Sequence, residues 1–145
     1  MLSKSCQYVV QAIIYIAVNQ KEKKYVGLID ISESQKIPKP YLSKLLQILV
    51  KGKILISVRG PRGGFCLTKS PDKIKLSDII KQIDGMDIFE TCAIGFKVCS
   101  DKTPCPIHHE YKIVKDKMKK LFKETSLEDL MNDINAGKSF VTYYK

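Results

Sequence analysis

Apolar residues recur at helical spacing between positions 4 and 19. Tyr8, Val9, Ala12, Ile13, Ile16 and Ala17 share one face, and Ile14, Tyr15 and Val18 widen it. The polar run Lys21-Glu22-Lys23-Lys24 predicts a turn, and Leu28 to Gln35 a short helix with Leu28, Ile29 and Ile31 apolar. Pro38 and Pro40 suit the first turn of the next helix, where a missing N–H costs little. That helix runs from about Pro38 to Lys51. Tyr41, Leu42, Leu45, Leu46, Ile48 and Leu49 form its apolar stripe, Lys39, Ser43, Lys44, Gln47 and Lys51 the opposite face, and Gly52 a plausible stop.

The pattern then shortens. Ile54 to Val58 is β-branched and strand-like, Arg59-Gly60-Pro61-Arg62-Gly63-Gly64 is a tight turn, and Phe65 to Thr68 is a second strand. Ile74 to Ile83 predicts a helix. Residues 85–104 lack periodicity and read as a loop. Pro106 to Lys123 predicts a long helix carrying Ile107, Tyr111, Val114, Met118, Leu121 and Phe122. Thr125-Ser126-Leu127-Glu128 has capping-box spacing and opens a short helix to about Ile134, with a loose tail from Asn135. The fold class is mainly α with a small β wing. Helix, helix, basic helix and two-stranded hairpin is the order of a winged helix-turn-helix, whose second paired helix enters the DNA major groove.

A chain of 145 residues with 44% hydrophobic content is one domain with a real core. No apolar run approaches the ~20 residues of a membrane helix. Met1-Leu2-Ser3-Lys4 leads into an amphipathic segment, not a cleavable apolar leader, which points to the cytoplasm. The net charge of +10 is uneven: residues 1–89 hold 15 bases and 7 acids, residues 90–145 hold 10 and 8. Residues 36–69 carry eight bases (Lys36, Lys39, Lys44, Lys51, Lys53, Arg59, Arg62 and Lys69) and no acid. A plain solvated surface mixes signs, so this stretch favours a polyanionic partner, double-stranded DNA.

Lysine contacts phosphate or guanine and Gln reads adenine, which gives Lys39, Ser43, Lys44 and Gln47 work to do on a groove. On its own that face also suits ordinary solvation. Arg59 and Arg62 add weight, because they flank a Gly/Pro turn that lets backbone approach a duplex and arginine is favoured in a narrow minor groove. The same Gly-rich run is not a nucleotide-binding P-loop. Gly64 is followed by Phe65-Cys66-Leu67, a strand, where Lys-Ser/Thr and a helix are needed.

Three of the five cysteines, Cys92, Cys99 and Cys105, fall within fourteen residues, with His108 three residues on. If Cys105 caps a helix beginning at Pro106, His108 lies one turn along it, and the helix N-terminus lowers the Cys105 thiol pKa. Three thiolates and an imidazole suit an iron–sulfur cluster or zinc. The spacing is not that of a C-x2-C knuckle, which disfavours structural zinc. Free thiols in a loop and a metal-free thiol–disulfide switch are the competing readings. A cysteine nucleophile served by His108 or His109 lacks the third, orienting group that such chemistry needs, so the chain reads as no enzyme. Cys6 and Cys66 read as core or strand residues, and His109 as solvent-facing.

With these residues in view, the chain resembles the IscR–NsrR family of winged-helix transcription regulators, which includes an iron–sulfur cluster regulator, a nitric-oxide-sensitive repressor and a cysteine-metabolism repressor. Ser3-Lys4 with Tyr8, Tyr41-Leu42, Ser57 through Phe65, the three-cysteine loop and Thr125 through Leu130 carry the resemblance, which covers about residues 1–134. It implies a homodimer joined through the long helix, a palindromic operator, and a [2Fe–2S] or [4Fe–4S] cluster, the former favoured, whose state alters DNA affinity. It implies metal ligands Cys92, Cys99, Cys105 and His108, and DNA contacts from Lys39, Tyr41, Ser43, Lys44, Gln47, Arg59 and Arg62. The organisation is then a DNA-binding domain over 1–84, a sensor loop over 85–105, a dimerisation and C-terminal helix over 106–134, and a tail over 135–145. The first cysteine gap is six residues where five is common. Gln7 stands where some members supply a carboxylate ligand, which leaves His108 the better fourth ligand and Cys6 a remote one. Ser43 stands where some carry a base-reading Glu, so operator preference does not carry over.

Overall fold

The computed structural model describes residues 1–140. Helix α1 (Lys4–Asn19) starts at Ser3, whose hydroxyl accepts from the Cys6 N–H at 3.1 Å. It is the centre of the core. Cys6, Val9, Ala12, Ile13, Ile16 and Ala17 are fully buried at the expected spacing. Helix α2 (Leu28–Gln35) ends at Lys36 in the left-handed conformation, and α3 (Lys39–Lys51) follows within three residues. Pro38 is the N-cap of α3 and Pro40 lies in its first turn, so α3 begins one residue later than the pattern suggested. Leu42, Leu45, Leu46 and Leu49 face inward. Tyr41 and Ile48, which the pattern grouped with that stripe, flank it on the exposed side.

Strands β1 (Leu55–Val58) and β2 (Gly64–Leu67) pair antiparallel, Leu55 opposite Leu67 and Val58 opposite Gly64. Each is shifted by one residue from its expected start. Phe65 also pairs across to Val26 through two hydrogen bonds of 2.8 and 2.9 Å, which anchors the wing to the turn before α2. Gly64 is obligatory there. Its φ is +144°, and a Cβ would lie 2.3 Å from the Val26 carbonyl oxygen.

A 3₁₀ turn at Pro71–Lys73, unforeseen in the sequence, delays helix α4 to Leu76–Ile83, because Ile74 and Lys75 are extended. A second 3₁₀ turn, Asp87–Phe89, breaks the expected loop and buries Phe89 beside Cys6 and Ile80. Met118 and Phe122 close this second core from helix α5 (His108–Glu124). Helix α6 (Leu127–Asn135) takes its capping box from Ser126 and Asp129, one residue beyond the expected Thr125 and Glu128, because Thr125 is spent on α5: its N–H bonds the Leu121 carbonyl. Backbone bonds Leu76 N–H to Thr125 O and Leu127 N–H to Ile74 O, both 3.0 Å, tie α6 to the start of α4. Of the expected loose tail, Asn135 closes α6 and residues 141–145 lie outside the described residues.

Candidate functional site

Two separate groups of chemically capable side chains stand out. The first is the outer face of α3 with the β1–β2 turn. Lys39, Lys44 and Gln47 are exposed and Ser43 is half-buried. Arg59 and Arg62 are exposed on either side of Gly60-Pro61, with Gly60 at φ +108°. Among the described residues no carboxylate lies in ion-pair range of Lys39, Lys44, Arg59 or Arg62. Asp30, on the preceding helix, is taken by Lys23 at 3.3 Å. Tyr41 is turned toward α1: its ring meets Tyr8 edge-on at 6.0 Å and its hydroxyl hydrogen-bonds Ser5. That places Tyr41 as a brace between α1 and α3 with its outer edge exposed, and less as a free groove-reading side chain.

The second group is the cysteine loop on the first turn of α5. The Sγ atoms of Cys92, Cys99 and Cys105 lie within 4.8 Å of one another, with Cys92 and Cys105 at 3.7 Å. The His108 Nδ1 lies 3.1 Å from Cys99 Sγ, and its Nε2 lies 2.9 Å from Asp101 Oδ1. All three thiols are half-buried, and the loop is reached from solvent. The helix starts at His108, with Ile107 as its N-cap at φ −110° and ψ 9°, off helical backbone. Cys105 is therefore outside the helix, which corrects the expectation that it caps the helix and is acidified there. Burial pushes the Cys105 thiol up, and contacts with Cys99 and Cys92 add to this against an opposing bond from the Ile107 N–H. The acidified thiol is Cys92. Desolvation pushes it up, but the Ile94 and Phe96 N–H groups, then the Cys105 and Cys99 thiols, outweigh this and bring it to about 7.

Cys6 is sealed in the second core, its thiol pushed up to about 12 by burial and by Asp84. Its burial removes it as a substitute ligand. Gln7 donates to the Leu2 carbonyl at 3.0 Å. His109 is exposed, as the sequence suggested, with its ring edge-on to His108 at 5.2 Å.

Residues 2–133 match the Rrf2 family, described as iron-dependent transcriptional regulators. The chain belongs to the Rrf2 family. A helix-turn-helix-type transcriptional regulator assigned in Aquifex aeolicus is 36% identical over 134 residues, spanning 91% of this chain and 92% of that one. The regulator IscR of Photorhabdus laumondii is 32% identical over 132 residues, 91% of this chain and 79% of that one. Among solved structures, T. potens IscR superposes with a TM-score of 0.73 at 27% identity, over 98% of this chain and 93% of that one. CymR, the global cysteine regulator of B. subtilis, superposes with 0.75 at 26%, over 91% and 96%. The Rrf2 chain is thus a transcriptional regulator with a winged-helix fold, and its relatives are regulators, not enzymes. No helix of the described residues is long and apolar enough to cross a membrane.

Sequence reasoning missed the side chains that hold the cysteine loop of this Rrf2 chain. Lys112 reaches Asp101 at 2.8 Å, Lys115 reaches the Thr91 carbonyl at 3.2 Å and Lys119 reaches Glu90 at 2.7 Å. With His108 they recur at i+4, i+3 and i+4, one face of α5. That spacing was the available signal, but its partners sit 11–29 residues away in a loop without periodicity.

Proposed function

We propose that this regulator binds a palindromic DNA operator as a homodimer and that an iron–sulfur cluster on Cys92, Cys99, Cys105 and His108 sets its DNA affinity. The observation that carries the reading is the three thiols of Cys92, Cys99 and Cys105 within 4.8 Å of one another, with the His108 Nδ1 3.1 Å from Cys99 Sγ. The donor set fits such a cluster. Thiolates are its usual ligands, a histidine nitrogen is an accepted substitute, and the one strongly acidified thiol is in the set. A [2Fe–2S] cluster is favoured and [4Fe–4S] is the alternative. The group would supply a charge and a geometry that change on oxidation, damage or loss. The chain's own part is to translate that into the loop's position against α5.

The unpaired bases of α3 and the wing support Lys39, Ser43, Lys44, Gln47, Arg59 and Arg62 as the contacts to duplex DNA. Tyr41 contributes by bracing α3. Residues 1–84 then bind DNA, 85–105 sense, and 106–134 hold the dimer, with 135–145 a tail. Dimerisation is supported by α5 itself, which buries no residue and exposes Val114 and Leu121 seven apart, in line with Ile107. Two recognition helices must span about 34 Å, one turn of DNA, so a small change at the loop–α5 junction alters operator fit. A coupling of ~1–3 kcal/mol is enough for a useful switch. The test is anaerobic purification with iron and sulfide analysis and a visible spectrum. A brown protein with iron and sulfide in equal amounts is expected. A colourless protein that takes up no iron on anaerobic reconstitution overturns the reading.

A second reading, sensing by thiol oxidation without metal, is favoured by the Cys92–Cys105 separation of 3.7 Å and the acidified Cys92. Equal metal content in the wild type and a Cys92→Ala/Cys99→Ala/Cys105→Ala variant would support it.

A further inference from the structure

We propose that Asp101 is the positioning residue for His108, selecting Nδ1 as the nitrogen presented to the cysteines. This deepens the proposed function and rests on it for the identity of what His108 binds.

An imidazole beside a metal site has two usable nitrogens, and the partner of the outer one decides which faces inward. Here both nitrogens are engaged. Nδ1 lies 3.1 Å from Cys99 Sγ, and Nε2 lies 2.9 Å from Asp101 Oδ1. An ionised carboxylate has only acceptor sites, so in the neutral ring Nε2 carries the hydrogen and Nδ1 turns its lone pair to the thiols. The ring itself is nearly enclosed, its side chain 11% exposed, which leaves it little room to flip.

Asp101 is well placed for this role. Lys112 Nζ contacts Oδ1 at 3.1 Å and Oδ2 at 2.8 Å, so the carboxylate is already neutralised and fixed. A tight turn delivers it: Ser100 and Thr103 exchange backbone bonds of 3.1 and 3.3 Å, and the Ser100 hydroxyl accepts from the Lys102 and Thr103 N–H groups. Lys112 stands one helical turn after His108, so one helix face aims the imidazole and steadies the group that orients it. His109 meets His108 ring edge to ring face, and one of its ring nitrogens lies within 4.8 Å of the Asp101 and His108 ligand atoms.

The test has two arms, on full-length protein kept anaerobic. In the metal-free, reduced chain, long-range ¹H–¹⁵N correlations of the His108 ring read the tautomer. The wild type is expected to carry the hydrogen on Nε2, Asp101→Ala to show both tautomers, and the isosteric Asp101→Asn to fall between. In the iron-loaded chain, Asp101→Ala is expected to lose iron to a chelator roughly tenfold faster and to shift the reduction potential upward, since an anionic partner raises ligand basicity. Asp101→Glu should restore both towards wild type. Asp101 is exposed, so these variants fold, and far-ultraviolet circular dichroism checks it. An unchanged tautomer and unchanged iron loss in Asp101→Ala, with His108→Ala still losing the cluster, overturns the positioning role and leaves the cluster reading intact. Wild-type protein that takes no iron overturns the cluster reading, while the tautomer arm still decides whether Asp101 directs His108.

Discussion

The chain has two lysine-rich helices, and they use their charge in opposite ways. On α3 and the adjoining wing, Lys39, Lys44, Arg59 and Arg62 have no ion-pair partner among the described residues, and no acid occurs between positions 36 and 69. On α5, Lys112 and Lys119 grip loop carboxylates, Lys115 grips a loop carbonyl and Lys120 approaches Glu124. Cations left without carboxylates are held ready for an anion from outside. Cations matched to a loop keep that loop in register. Net charge alone does not tell these apart; the neighbours do.

The largest way to break this contrast goes through the other side of α5. Leu121 is 58% exposed and Val114 56%, next to the Met118 and Phe122 line that enters the second core. Leu121→Glu disturbs no buried contact within one chain but places a charge where a partner's apolar helix would lie. Light scattering should show a monomer with an unchanged circular dichroism spectrum, and operator binding should be lost. A variant that stays dimeric would move the dimer interface away from α5.

A mid-sized effect should come from the free cations. Arg59→Ala is expected to weaken operator binding by ~10-fold and to lower the slope of log affinity against log salt by about one. Iron content should not change, because Arg59 and the cysteine loop share no contact. If affinity and salt slope both stay at wild-type values, the wing is not on the DNA.

The winged-helix half was legible in sequence because its signals are local. The periodicity of α1 and α3, the two prolines before α3 and the Gly-rich turn each specify their element within a few residues, and ends moved by only one or two positions. The cysteine set was legible from clustering alone. What escaped was long-range or rule-breaking. Pro106 looked like a first helical residue, yet α5 waits for His108. The helix-dipole argument therefore chose the wrong thiol, since Cys92 is acidified by loop backbone N–H groups that no motif announces. Tyr41 fits both an apolar stripe and a DNA face, and only the Tyr8 and Ser5 contacts show it bracing α1. The Asp101, Thr91 and Glu90 partners of α5 could not be paired from spacing, because a loop without periodicity has no register to read.

The smallest expected effect sharpens the contrast from the α5 side. Lys119→Ala removes one exposed ion pair at Glu90, and such pairs contribute little to global stability and are screened by salt. The melting temperature should hardly move. Hydrogen exchange at the amides of residues 90–98 should quicken, because of the two lysine contacts to that end of the loop only the Lys115 bond to the Thr91 carbonyl then remains. Acid should mimic the mutation in the wild type. The hydrogen bond and charge of Lys119 hold the Glu90 carboxyl below its usual range, so the bridge is complete above the ordinary carboxylate pKa and is lost as pH falls through the lowered one. Loop exchange rates corrected for intrinsic chemistry should therefore stay flat from neutral pH down to that range and rise below it, with Lys119→Ala showing no such step. A step of equal size in the variant would assign the loop's acid response to the Asp101–Lys112 pair, where the Asp101 carboxyl is held down at about 2, first by the Lys112 hydrogen bond. The same Lys119→Ala protein should keep the wild-type slope of log operator affinity against log salt, whereas removal of an unpaired cation on α3 or the wing should lower that slope.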